Sequence, residues 1–413
     1  MGMRIQQLMA LVGGGLLLGA ADAPTGGDPG VRAFVISNLY FAGATEAGTC
    51  PILSDGGLET FYKMLPPAEQ AKYAAPEQRQ ALERAMTTHF GFRRIGLRQR
   101  TGGGRAEAAV LPPGFKPDKA PTADEARAIG ALNGFPAGRG RAAFMGQTVD
   151  YNACTDPQDF PALATGLRLY DGKQAVGMNL DNRTGRGDFV SPDGEPGIDN
   201  ELWRVLACNK TFREQGDPKT ARGIFMSARA PTLIEVSDID DIRNDSAVTV
   251  TVHAGVDPVT RDGRGDALGW ASFRVDPSQR TTVSGRIVDG VLMTDPVDLR
   301  LNFKEQIIDA PRVIRAARIR AVLGANGSAE GEIGGYYTLA SFYASIEQMT
   351  QNGANLSGIS CPAVRQAIDR RADGFKDPDT GRFTAISTGM GFFAAPAFIV
   401  GTPPSVIAQG PSR

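Results

Sequence analysis

The chain has 413 residues and a formal net charge of −1, with 51 glycines, 27 prolines, four cysteines and two histidines. The balanced charge lacks the basic footprint of a nucleic-acid-binding protein. The length allows two or three domains at about 150 residues each.

Residues 1–7 carry Arg4 and no acid, residues 8–18 form a short apolar run, and small residues follow to Ala23. That is the layout of a secretory signal peptide, assigned to residues 1–21. The run is shorter than the ~20 residues a membrane-spanning helix needs. The mature chain is therefore expected to be periplasmic or secreted, with no membrane span once the signal is removed. Abundant Ala, Gly, Arg and Asp with few Lys point to a GC-rich bacterial source, hence to an envelope protein.

In an exported chain, Cys50, Cys154, Cys208 and Cys361 read as two disulfides with three possible connectivities. The expected pairs are Cys154–Cys208, closing a loop around an acidic stretch, and Cys50–Cys361, tying the two ends together. The wide cysteine spacing, with no neighbouring His, argues against zinc.

Residues 24–140 read as a small α+β region. A buried strand is predicted over 33–41 from its β-branched and aromatic content. Helices follow at 58–65 and 76–90, where His89 shares the apolar face of Leu82, Ala85, Met86 and Phe90. Residues 101–121 are a Gly/Pro-rich connector, and Thr122 with Glu125 forms a capping box for a short helix.

Residues 141–338 change to short apolar runs between Gly, Pro, Asp and Asn turns. Strands are predicted over 142–151, 167–170, 175–180, 202–207, 224–228, 232–236, 248–253, 270–275, 281–288, 297–303, 314–323 and 331–338. Val248, Val250 and Val252 alternate with Thr249, Thr251 and His253, so one face is buried and the other, with His253, is exposed. Asn326-Gly327 predicts a hairpin whose two central residues both take positive φ. The chain is therefore expected to be mostly β with flanking helices (α+β), around a disulfide-stapled antiparallel β-sandwich or barrel. Residues 339–400 form a helical C-terminal segment packed back on the N-terminal region. Helices span 339–349 and 361–373, a buried strand or loop covers 384–400, and residues 401–413 are a loose tail.

The stretch 179–208 concentrates the candidate chemistry. It holds six acids (Asp181, Asp188, Asp193, Glu195, Asp199, Glu201) against three arginines (Arg183, Arg186, Arg204), a net −3. Oxygen-rich, Gly-bearing loops suit calcium. Asp181, Asp193, Asp199 and Asn200 are the candidate ligands for this one possible cofactor, although no EF-hand spacing is present. The same residues also suit turns in which Asp and Asn bond their own backbone. Trp203 and Glu195 are candidate ligand contacts. Trp203, Trp270, Tyr336, Tyr337, Phe342 and Tyr343 offer rings for sugar stacking or for burial.

Catalytic signatures are sparse. No Gly-x-Ser-x-Gly elbow, dinucleotide fingerprint or Walker motif occurs, and a Ser-His-Asp triad would have to use His89 or His253. A carboxylate pair could serve hydrolysis, with Glu195, Glu201 and Glu235 as nominal members. The expected function is that of an exported, non-catalytic binding or structural protein of the bacterial envelope. It would contact a ligand, glycan or protein through the acidic loop 179–201. The alternative is a glycosidase-like envelope hydrolase using carboxylates of the same loops.

Overall fold

The computed structural model describes residues 30–44, 46, 48–50, 71–75, 78, 142–144, 147–149, 167–185, 187–209, 230–301, 310–351 and 361–401. Its strands are β1 (Arg32–Phe41), β2 (Ala142–Phe144), β3 (Gln147–Val149), β4 (Phe189–Val190), β5 (Pro196–Ile198), β6 (Thr232–Ser237) and β7 (Asp245–Gly255). They continue with β8 (Ala271–Val288), β9 (Val291–Thr294), β10 (Val297–Leu301), β11 (Arg312–Leu323), β12 (Ala329–Thr338), β13 (Gly374–Lys376) and β14 (Phe383–Val400). The helices α1 (Glu201–Leu206), α2 (Leu339–Gln351) and α3 (Cys361–Arg371) accompany them. The helices expected at 58–65, 76–90 and after Thr122, and the strand at 224–228, lie outside the described residues save for isolated positions.

Eight strands close into an antiparallel barrel in the order β1-β6-β7-β8-β9-β11-β12-β14, with β14 returning to β1. The core is thus a barrel and not a sandwich. Closure leaves no exposed ladder edge around the ring. The first barrel strand, β1, comes from the N-terminal region and pairs with β14 near the other end, from Ala33↔Ala397 to Phe41↔Met390.

Alternation sets the wall. Val250 opposes Val236 and Val283, and all three point inward with Phe34, Ile36, Ile234, Ile287, Leu292, Ile319, Ile333, Met390 and Phe392. An eight-stranded barrel is just wide enough for side chains to fill, and here apolar side chains fill it. Phe342, Ile346, Val364 and Ile368 extend the same core into α2 and α3. Tyr337 meets Phe342 edge-on at 5.5 Å where β12 runs into α2. The outward residues include Thr249, Thr251, Ser284, Arg286, Arg318, Arg320, Glu330 and Glu332. This polarity is the reverse of a lipid-spanning barrel. Among the described residues no helix is long and apolar enough to cross a membrane.

The start of β8 leaves the ring and runs parallel to the end of β14, from Ala271↔Ala397 to Arg274↔Val400. It covers a second apolar cluster of Val35, Leu233, Val259, Phe273, Val275 and Ala397.

Several expectations are corrected. Residues 202–207 are not a strand. Asn200 caps α1 by accepting from the Trp203 N–H at 3.1 Å, and Leu202, Trp203, Val205 and Leu206 are buried at helical spacing. Within 175–180 only Met178 makes an isolated bridge, to Asp199, and Gln174 just before it bridges Val190. At the β11–β12 hairpin Gly327 takes φ +81° while Asn326 does not turn left-handed. Instead, Asn326 Oδ1 accepts from the Ser328 N–H at 3.1 Å. His253, expected on an exposed face, is buried.

The disulfide is Cys50–Cys208, with Cα atoms 5.4 Å apart. It replaces both expected pairs, Cys154–Cys208 and Cys50–Cys361. Cys154 and the Cys361 side chain lie outside what is described. The physical reason is the path after β1. Gly43 lies against the Trp203 ring, and the indole Nε1 donates to the Ala44 carbonyl at 3.1 Å. That lays residues 42–44 over α1, and Cys50 further along reaches Cys208.

Candidate functional site

The acidic stretch lies on the outer wall of β11, β12 and β14, where two glycines make room for it. Gly334 and Gly389 face each other in register. A Cβ on Gly334 would meet Met178 Cγ at 3.0 Å, and one on Gly389 would meet the Val176 carbonyl at 3.0 Å. The stretch is held there by named groups. Asn200 Nδ2 donates to the carbonyls of Val176 (2.7 Å) and Ala42 (3.2 Å). The Glu201 N–H donates to Ser387 Oγ at 2.9 Å, and Ser387 Oγ in turn donates to Asp373 at 2.7 Å.

The outward carboxylates close turns. Asp181 accepts from the Arg183 N–H at 2.8 Å. Asp188 accepts from the Gly185 N–H, and Asp193 from Ser191 Oγ. Asp199 faces inward and accepts from the N–H groups of Leu180 (2.7 Å) and Asp181 (3.3 Å). Gly197, at φ +77°, lets the 179–183 turn pass, because a Cβ there would lie 2.3 Å from the Arg183 carbonyl.

The carboxylates of the stretch are met by arginines from elsewhere and by its own Arg204. Arg320 of β11 donates to Glu195 at 2.9 Å, to the Gly177 carbonyl at 3.1 Å and, through Nε, to Glu332 at 2.8 Å. Arg318 donates to the Asn179 carbonyl at 3.1 Å. Glu201 pairs with Arg204 at 2.7 Å and with Arg371 at 3.6 Å.

The proposed calcium ligands are therefore divided. Asp181 and Asp199 meet in one turn, with Asn200 adjacent but its amide engaged on both sides. Asp193 belongs to the Ser191–Glu195 turn. Among the described residues no group of three or more His, Cys, Asp or Glu is placed to hold a metal ion. Trp203 is 6% exposed and anchors the buried cluster around the disulfide, while Glu195 lies at the surface on Arg320. The nominal catalytic acids are not one site. Glu195 pairs with Arg320 and Glu201 with Arg204, while Glu235 lies 3.9 Å from His253 on the β6–β7 wall. The His253 imidazole at that distance, too long for a hydrogen bond, still lowers the Glu235 pKa against the effect of burial. The aromatics also scatter: Trp270 meets Phe398 at a tilt, 5.6 Å between ring centroids, and Tyr336 meets Phe375 at 5.6 Å.

Two titratable groups lie beneath the stretch: Asp373, which the sequence reading did not single out, and Tyr336, which it named only as a ring. Burial pushes Asp373 up to about 6, with smaller contributions from Glu201 and Asp199 and opposition from the Ser387 hydrogen bonds. Burial, then Asp199 and Asp373, push Tyr336 up to about 12. Asp199 itself is raised by burial. The Arg318/Arg320 and Glu330/Glu332 spacings were visible as alternate residues on one strand face, but nothing local says what packs on that face. A groove of about 240 Å³ lies on a different wall, over β7 and β8, between Thr249, Ser284, Arg286 and Asp295.

Fold and site together define a closed, side-chain-filled antiparallel barrel with an acidic cover stapled to its outer wall. Compared with known proteins, the chain matches no family model, no curated protein and no solved structure at a significant level.

Proposed function

We propose that the chain is an exported, non-catalytic binding or structural protein of the bacterial envelope that contacts a glycan or protein partner through the acidic cover, residues 179–201. The observation that carries this reading is the fixing of the cover. Arg318, Arg320, Asn200 and Ser387 hold its inner side, leaving Asp181, Asp188 and Asp193 along a preformed outer rim. A rim ordered before binding avoids the entropy of ordering a loop on contact. Export is supported by the disulfide and by the signal-like N-terminus.

The test is binding of the full mature chain to glycan and basic-peptide panels, beside a D181N/D188N/D193N variant. The reading expects saturable binding that the triple variant loses while its melting curve is unchanged. Binding by wild type and variant alike would overturn it. The hydrolase reading draws support from Asp373, a buried carboxyl with a raised pKa near Asp199 and Glu201. Turnover of a glycan that is lost in Asp373→Asn would favour it instead.

A further inference from the structure

We propose that Tyr40, Glu330 and Glu332, on the outer wall of β1, β12 and β14, form a binding site for an organic cation with N–H donors, an alkylammonium or guanidinium group. The site is distinct from the outer rim of the cover. It is built by register. Gly391 of β14 is paired on one side with Tyr40 and on the other with Glu332. The absent side chain matters, because a Cβ on Gly391 would lie 2.4 Å from Tyr40 Cζ and 2.6 Å from its hydroxyl oxygen. The tyrosine therefore lies across β14 with its hydroxyl end toward Glu332, and its ring stacks on Phe393 at 5.9 Å. Glu330, two residues before Glu332, projects from the same face.

The ligand class follows from what is unmet. The Glu332 side chain is only 10% exposed. Arg320 engages its Oε1, while its Oε2 is buried with no hydrogen-bond donor. A buried acceptor without a donor costs about 1–3 kcal/mol and calls for a partner. Glu330 has no ion-pair partner among the described residues, and partial burial raises its pKa. Burial and these two carboxylates raise the Tyr40 pKa, so the three groups share one electrostatic environment. Arg320 also holds Glu195, so one guanidinium serves two carboxylates, and Glu330 adds a third that has no ion pair among the described residues. A ligand that suits this wall donates hydrogen bonds and carries positive charge. An aromatic face beside carboxylates is the arrangement that holds ammonium and guanidinium groups.

The test is titration of the full chain with butylguanidinium, butylammonium and the neutral isostere butylurea, followed by calorimetry and by Tyr fluorescence. Saturable, salt-sensitive binding of both cations, at least tenfold tighter than butylurea, is expected. Glu330→Gln should weaken it about tenfold and Tyr40→Leu severalfold, with circular dichroism unchanged, while D181N/D188N/D193N leaves it intact. Equal binding of butylurea, full affinity in Glu330→Gln, or displacement by calcium would overturn the proposal. So would glycan hydrolysis abolished by Glu330→Gln, which would make the pair a hydrolytic one.

Discussion

Arg320 and Glu195 are 125 residues apart, yet Arg320 Nη1 donates to Glu195 Oε2 at 2.9 Å and joins the acidic cover to the barrel wall. The same guanidinium holds Glu332 beneath the cover. Removing it leaves a carboxylate nine-tenths buried without its counter-charge. Breaking one side of a buried pair costs about 3–5 kcal/mol, and the partial exposure of Arg320 reduces that. Arg320→Met is expected to destabilise by about 2–3 kcal/mol in urea melts. Arg320→Met/Glu332→Leu should recover most of the loss. Recovery is the sharper check, since a loss without it would place the effect in packing alone.

The same arginines bear on calcium. Arg318 and Arg371 bring two positive charges to a stretch whose own sequence sums to −3, and Arg320 divides a third between Glu195 of the stretch and Glu332 of the wall. Little of the stretch's own charge is left for a divalent cation to offset. Adding calcium or a chelator is expected to leave the melting temperature unchanged. A calcium-dependent rise, lost in Asp199→Asn, would count against this balance.

Asp373 gives the stability profile a definite sign. Its carboxyl is raised from 3.8 to about 6 by burial, so the folded state binds the proton more tightly than the unfolded state. That contribution is fully present below about pH 4 and is lost as pH rises through about 6. The full shift corresponds to about 3 kcal/mol. Asp373→Asn, which keeps an acceptor for the Ser387 N–H, should gain stability relative to wild type by about 2–3 kcal/mol at pH 8 compared with pH 4. Chemical denaturation at the two pH values reads this directly, and a pH-independent difference would rule it out.

The barrel was legible where residues alternate. The Val248–Val250–Val252 pattern and the β-branched content of 33–41 mark two of its strands because a strand buries one face at a period of two. What the sequence could not show was anything that depends on distant chain. Six residues of α1 are too short for a periodicity to separate helix from strand, and their helix rests on the Asn200 cap and the wall beneath. Arg318 and Arg320 look like ordinary exposed strand residues until the cover, some 140 positions earlier, is laid on them. The acidic stretch was legible as a cluster but not as a cover, since Gly334 and Gly389 acquire their meaning only when β12 and β14 pair.

The Cys50–Cys208 bridge closes a segment of 158 residues. By chain entropy such a closure contributes about 5 kcal/mol, an upper figure because unfolded chains keep some structure. Cys50→Ser/Cys208→Ser is expected to lose about 2–4 kcal/mol. It should also loosen Trp203, whose indole sits in the cluster with both cysteines, giving a red-shifted fluorescence. Non-reducing peptide mapping checks the connectivity, and a Cys154–Cys208 peptide would refute it.

The fit of the cover to the barrel is tested most directly at the glycines beneath it. A Cβ on Gly389 would press on the Val176 carbonyl at 3.0 Å and on Gly177 Cα at 3.2 Å. Both are backbone atoms that no rotamer change can move aside. Overpacking of this kind typically costs about 1–3 kcal/mol. Gly389→Ala is expected to fall in that range, and Gly334→Ala near its lower end, because the flexible Met178 side chain can yield there. Gly187→Ala, with open space around its Cβ position, is the matched control and should be near neutral. Hydrogen exchange should show the added opening confined to residues 176–200 in Gly389→Ala. Uniform loss of protection across the barrel strands would mean that the cover and barrel unfold as one unit, and that the wall does not merely carry the cover but depends on it.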